Sequence, residues 1–133
     1  MKYRNYLLLG LLGIIPLLNL GCVAAAVGGG VAAGAGTVAY ITGELKATEG
    51  YSVPVVWKAT EKAVNELKLA VVDKYSDAVS GRLEAFTADN KKVRINLKRI
   101  GDNITELTIR IGTFGDEELS RFILSKIEKH LKA

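Results

Sequence analysis

One cysteine, Cys22, and one histidine, His130, are all this sequence offers for thiol or imidazole chemistry. A hydrolytic triad needs a nucleophile, a base and a group that orients the base. His130 stands one turn from the chain end between Lys129 and Lys132, where a histidine complements the negative end of a helix rather than shuttling protons. Asp73, Asp77 and Asp89 fall at strand ends or turns without close carboxylate partners in sequence, so they read as turn residues and not as acid catalysts. Trp57, beside Val56 on a helix face that points to the core, reads as packing rather than as a ligand-stacking ring. An enzyme is therefore not expected. A single cysteine permits neither an intrachain disulfide nor a cysteine-type zinc site, and no metal or cofactor is expected.

Cys22 is placed for a different reaction. Lys2 and Arg4 open the chain, residues 6–20 form an apolar stretch rich in Leu and Ile, and Gly21 supplies a small residue before the cysteine. That order of basic, apolar and small residues is a secretory leader, here 1–21, ending where a bacterial lipoprotein precursor is cleaved. The thiol would take a diacylglycerol, and the amine freed by cleavage a further acyl chain such as palmitate. Each buried methylene contributes about 0.8 kcal/mol, so several chains on one residue hold a protein at a membrane where a single chain is marginal. Asn19 stands where such boxes usually carry Leu, with Leu18 and Leu20 on either side. Val23, rather than an aspartate, follows the cysteine and resembles the context of outer-membrane sorting. The other reading of Cys22 is a small apolar residue inside an uncleaved membrane helix.

Charge narrows the partners. The 133 residues carry a formal +4, which falls to +2 once Lys2 and Arg4 leave with the leader. That is too weak for nucleic acid. Residues 23–41 are a run of Ala, Gly and Val without charge. Ala26, Gly30 and Gly34 recur at fourfold spacing, as do Ala32 and Gly36, and on a helix such lines let two backbones approach closely in a membrane. The run is long enough to cross a bilayer. Its glycines equally fit a membrane-proximal tether, since each costs about 1 kcal/mol in a helix relative to alanine.

The folded domain is expected over residues 38–133, after a lipidated, Gly/Ala-rich segment at 22–37. Residues 38–47 read as a first strand, with Tyr40 and Ile41 as anchors and Gly43 as a bulge or close-approach point. Ser52 and Pro54 then start a helix whose Val56, Ala59, Thr60, Ala63, Val64 and Leu67 share one face. From Leu69 the period changes to two: strands are expected at 69–75 and 81–88. Val93, Ile95 and Leu97 alternate with polar residues, as do Leu107, Ile109 and Ile111. Asp89-Asn90 and Gly101-Asp102-Asn103 supply turn chemistry. A second helix is expected from Asp116 to about Leu131, with Leu119, Phe122, Ile123, Ile127 and Leu131 as its core line. Alternating strands and two amphipathic helices predict an α+β two-layer sandwich. Its antiparallel sheet would have four to five strands in the order βαββββα, with both helices on one face.

The leader, the Gly/Ala run, Tyr40-x-x-Gly43-x-Leu45, Trp57-x-Ala59-x-x-x-Ala63, Asp77-Ala78 and Arg110-Ile111-Gly112-Thr113-Phe114-Gly115-Asp116-Glu117 together resemble a family of small bacterial lipoproteins classed as a domain of unknown function. The resemblance covers nearly the whole chain, and its last motif is the most specific. It implies a cell-envelope lipoprotein with no assigned reaction and no catalytic residues to carry over.

Two surfaces remain. Gly112 to Glu117 resembles an anion cradle ahead of a helix, yet Asp116, Glu117 and Glu118 already occupy that positive end, so a rigid strand-to-helix connection is the stronger reading. Arg94, Lys98 and Arg110 share the outward parity of neighbouring strands, with Lys92 and Arg99 nearby. They form a candidate surface for an anionic envelope component or an acidic periplasmic protein, set against a solvated face paired to Glu84 and Glu106. The expected protein is a non-enzymatic, lipid-anchored module of the bacterial envelope, on the outer membrane facing the periplasm. The alternative is a small membrane protein that oligomerises through its Gly/Ala-rich helix.

Overall fold

A computed structural model of the chain describes residues 37–133, which belong to one compact unit, Gly34–Ala133. The leader, Cys22 and the Gly/Ala-rich segment lie outside the described residues. Strands β1 (Thr37–Ile41) and β2 (Glu44–Glu49) form a hairpin, followed by helix α1 (Val53–Glu66). Four strands then run consecutively: β3 (Ala70–Ser76), β4 (Ser80–Phe86), β5 (Lys92–Gly101) and β6 (Ile104–Ile111). Helix α2 (Glu117–Lys132) closes the chain. All strand pairs are antiparallel in one sheet of order β1-β2-β6-β5-β4-β3. The α1 connection thus carries the chain to the far edge, and the meander returns until β6 docks on β2.

The class is α+β as expected, but the sheet has six strands in the order ββαββββα. The strand expected over 38–47 is two strands, because Thr42 and Gly43 both take positive φ, 54° and 80°, and reverse the chain in two residues. That pair of angles matches the right-handed twist of the flanking strands and makes a tight hairpin. Gly43 is therefore a turn residue and not a bulge. Thr42 hid it, since β-branched residues rarely adopt positive φ. Asn90 and Asn103 also lie in the left-handed region, at the turns that their residue types announce.

The covered face of the sheet follows from the period of two. Leu45, Ile109, Ile95 and Leu83 align in one cross-strand row, and Ala47, Leu107, Leu97 and Gly81 in the next. Apart from Gly81 these side chains are almost fully buried. Against them α1 places Val53, Val56, Ala59, Ala63 and Val64. Trp57 lies over Gly81, where an added Cβ would come within 2.8 Å of the indole. This close approach explains a glycine inside a strand and makes Trp57 a packing residue. Thr60 is buried on the same face and donates to the Val56 carbonyl at 2.8 Å, so its hydroxyl is satisfied.

Ser52 is the N-cap of α1 by position, with no side-chain capping bond, and Pro54 sits in the first turn. In α2 the buried line is Ser120, Ile123, Leu124, Ile127 and Leu131. Phe122, expected there, is 48% exposed, with the Lys126 ammonium 5.5 Å from its ring centre. Steps of 100° per residue turn it about 200° from both Ser120 and Leu124, onto the side of the helix away from the buried stripe. Among the described residues the buried core residues fall between Leu45 and Leu131, so residues 37–133 enclose a hydrophobic core of their own. Among the described residues no helix is long and apolar enough to cross a membrane.

Candidate functional site

Two helices cannot cover both faces of a six-stranded sheet, and the other face carries the charged side chains. Its rows are read from the register: Ile41, Glu44, Arg110, Arg94 and Glu84 form one, and Lys46, Thr108, Asn96 and Arg82 the next. Thr48, Glu106, Lys98 and Ser80 form the third. Arg94 and Arg110 are thus directly opposite one another, whereas Lys98 lies two rows away, opposite Glu106. Of the three cations expected to act together, the fold brings two into contact range.

The neighbourhood of Arg110 is built by segments far apart in sequence. Its guanidinium donates from Nη1 to the Thr42 carbonyl at 3.1 Å and from Nη2 to the Thr113 carbonyl at 2.7 Å. The β1–β2 turn and the β6–α2 connection are thereby sewn together. Gly115, at φ 83°, packs against the backbone of Gly43 and the hydroxyl of Tyr40 so closely that no side chain fits at either glycine. A Cβ on Gly43 would stand 2.7 Å from the Phe114 carbonyl oxygen. Tyr40, Gly43, Arg110 and Gly115, which belong to two separate sequence motifs, are one corner of the molecule. Gly112 differs: its φ is 67°, yet a Cβ there would meet nothing within 4 Å. Asp116 caps α2 by accepting from the Leu119 N–H at 3.0 Å, and that bond above all holds its carboxyl below the usual range. The Gly112–Glu117 segment is a rigid connection with an acidic cap.

Beside this corner opens a concavity of about 570 Å³ lined by Asn90, Lys91, Lys92, Arg94, Arg110 and Thr113. Lys91 reaches Asp116 at 3.3 Å, and Lys92 and Arg94 share Glu84 at 3.4 and 3.6 Å. Among the described residues Arg110 has no ion pair within 4 Å; its guanidinium bonds two carbonyls, and Glu44 is its other cross-strand neighbour. Carbonyl oxygens fix its direction without cancelling its charge, so the cavity wall keeps a positive surplus around the Arg94–Arg110 pair. Like charges directly opposite on a sheet are destabilising. Such an arrangement is suited to take an anion, whose charge relieves the repulsion and whose oxygens accept the remaining N–H groups.

The other residues singled out from sequence sit in local structure. His130 contacts Glu66 of α1 at 2.7 Å, and Lys126 and Lys129 approach the same carboxylate, so the cluster ties the two helices together. The His130 bond is the main reason the Glu66 carboxyl titrates low. Asp77 accepts from the N–H groups of Val79 and Ser80 and from the Tyr75 hydroxyl, which fixes the β3–β4 turn and lowers its pKa. Asp89 accepts from the Thr87 hydroxyl at 2.6 Å in the β4–β5 turn. Asp73 pairs with Arg82 on the exposed edge at 3.2 Å. Among the described residues no group of three or more His, Cys, Asp or Glu side chains is placed to hold a metal ion.

One unusual group escaped the sequence reading. Glu49 ends β2 on the covered face, is 5% exposed, and leaves Oε1 without a hydrogen-bond partner. Burial first, and then the neighbouring Glu128 carboxylate, push its pKa up to about 7, against a smaller opposing effect of Lys132. The signal was present: Glu49 continues the parity of Leu45 and Ala47.

The family described as "Protein of unknown function (DUF3568)" matches residues 5–130 of the chain. No curated protein matches it. The chain belongs to the DUF3568 family.

Proposed function

We propose that this member of the DUF3568 family is a non-enzymatic, lipid-anchored binding module of the bacterial cell envelope, held at the membrane through Cys22. Its domain faces the periplasm and docks anionic groups displayed on the envelope. The observation that carries the binding role is the Arg94–Arg110 pair. The two arginines are cross-strand partners that line one concavity, and the Arg110 guanidinium is oriented by carbonyls, which do not neutralise its charge. Support for the anchor comes from the sequence: a basic start, an apolar stretch and Gly21 ahead of the one cysteine. Lys98, exposed and two rows away, extends the positive face toward the other end of the sheet.

Two measurements test the reading. The mass of the protein purified from membranes should show loss of residues 1–21 and a gain of acyl chains on Cys22, and Cys22→Ala should accumulate as uncleaved precursor. Normal cleavage of that variant would overturn the anchor, and would favour the membrane-helix role of the Gly/Ala segment. For the site, inorganic pyrophosphate added to residues 37–133 should move the amide resonances of Lys92, Arg94, Arg110 and Thr113. The effect should collapse as salt shortens the Debye length from about 10 Å at 0.1 M to about 3 Å at 1 M. Unmoved resonances at low salt would remove the anion site.

A further inference from the structure

We infer that the Phe114 loop is a bilayer-contacting tip: Phe114 enters the acyl region of the membrane while Lys91, Lys92, Arg94 and Arg110 beside it engage lipid phosphates. The inference rests on the lipid-anchored, anion-docking reading above and names its partner. Phe114 is 91% exposed, the most exposed large apolar side chain among the described residues. Its exposure does not come from a loose loop. The carbonyl of Thr113 is fixed by Arg110, that of Phe114 rests on Gly43, and Gly115 is locked against Gly43 and Tyr40. The architecture holds a phenyl ring out into solvent, where it buries almost nothing against the described residues. Ile41, 60% exposed, lies on the same cross-strand row as Arg110 and Arg94, at the same corner. An apolar tip beside a cationic wall matches the boundary between acyl chains and phosphates.

The acids around the tip set the strength and direction of the contact. Asp116 is occupied by the α2 cap and Lys91, and Glu117 by Arg121 at 3.1 Å. Glu44 lies in the row between Ile41 and Arg110, and Glu118 lies on the first turn of α2. The positive surplus is therefore confined to the open sheet face, and the contact is weak by itself. An anchor compensates for weak contacts by raising local concentration. Only fifteen peptide steps separate Cys22 from Thr37, the start of β1. A chain of that length spans at most about 50 Å whatever its conformation, so the domain stays within reach of the membrane that holds its lipid.

The test uses the full-length protein, purified with its native N-terminus and reconstituted into vesicles with brominated acyl chains. Phe114→Trp places an indole at the tip, while Trp57 is buried in the core and contributes a constant background. In vesicles containing phosphatidylglycerol the introduced indole should lose about half of its emission and shift to the blue, as an indole does among acyl chains. Phosphatidylcholine alone should quench it much less, and Arg94→Glu should return the phosphatidylglycerol signal to that level. Equal quenching in both lipids would overturn the headgroup role of the cations. Absent quenching, with pyrophosphate still moving the Arg94 and Arg110 amides, would overturn the tip and leave the anion site standing. Absent quenching with no pyrophosphate response would remove both. Because Phe114 touches no core residue, an unchanged melting temperature confirms that the variant reports on the membrane and not on unfolding.

Discussion

Arg110 and Glu49 sit at opposite ends and on opposite faces of the β2–β6 pair, and the fold treats their charges in opposite ways. Arg110 pairs across the ladder with Glu44, and Glu49 with Thr105. At the Arg110 end the charge is kept, aimed by two carbonyls at an open concavity that the cross-strand Arg94 also lines. At the Glu49 end burial and the Glu128 carboxylate disfavour the charge and raise the pKa to about 7. A charge maintained at the surface, against the cost of a like neighbour, is available to an outside partner. One suppressed beneath a helix serves packing. The contrast separates the proposed docking surface from a group that serves packing, in a domain where both look irregular.

The largest effect should come from the corner that aims Arg110. Gly115→Val forces a β-branched residue to positive φ and drives its Cβ into the Gly43 backbone. The strain and the overlap together should cost about 3 kcal/mol or more in a urea titration of residues 37–133. Gly112→Ala, with the same sign of φ but open space around it, should cost only about 1 kcal/mol. Equal costs at the two glycines would mean that the interlock with Gly43 does not hold the loop.

Next in size is the other end. A carboxyl whose pKa is about 7 in the folded state and 4.5 in the reference state binds its proton more tightly when folded. Stability is therefore undiminished below about pH 4.5, declines as pH rises toward 7, and stays reduced above it. The penalty is up to about 3 kcal/mol at pH 8. Glu49→Gln should remove this decline and be more stable than the parent at pH 8. Asp77, Asp89 and the half-buried Asp116, whose pKa values are lowered by hydrogen bonds, act in the opposite sense and lose their contribution as pH falls through the acid range. A parent whose stability is flat between pH 5 and 8 would contradict the assignment for Glu49.

Smaller still is the stability that Arg110 itself supplies. Arg110→Met removes two hydrogen bonds between loops and should cost about 1–2 kcal/mol. Arg94→Met removes an exposed pair with Glu84 and should stay within about 0.5 kcal/mol. The two arginines would then divide the work, one orienting the corner and the other presenting charge. A larger loss at Arg94 than at Arg110 would reverse that division.

What the sequence made legible follows from periodicity and turn chemistry. The alternation through Val93–Leu97 and Leu107–Ile111, the face of α1, and the turns at Asn90 and Asn103 are local patterns, and the fold uses them as they read. The β1–β2 turn was hidden because Thr42 adopts a conformation its residue type disfavours. Phe122 was misplaced because its spacing of three from Leu119 was read as one stripe, although the buried positions Ser120, Ile127 and Leu131 centre on the opposite side of the helix. The outward parity of Arg94, Lys98 and Arg110 was visible, but the register that joins Arg94 to Arg110 and sets Lys98 apart depends on strand order. Strand order here is set by α1 carrying the chain across the sheet, a long-range choice with no local signature.

The central claim is that Arg94, presented beside an Arg110 that orients the corner, serves binding and not stability. The most direct test is Arg94→Glu in residues 37–133, followed in one sample by pyrophosphate titration and by urea unfolding. The account predicts at least about a tenfold loss of pyrophosphate affinity at low salt, since one cation becomes an anion within the same concavity. It also predicts a stability change below about 1 kcal/mol, as for other exposed charges. Unchanged affinity, or a loss of affinity matched by unfolding, would contradict it.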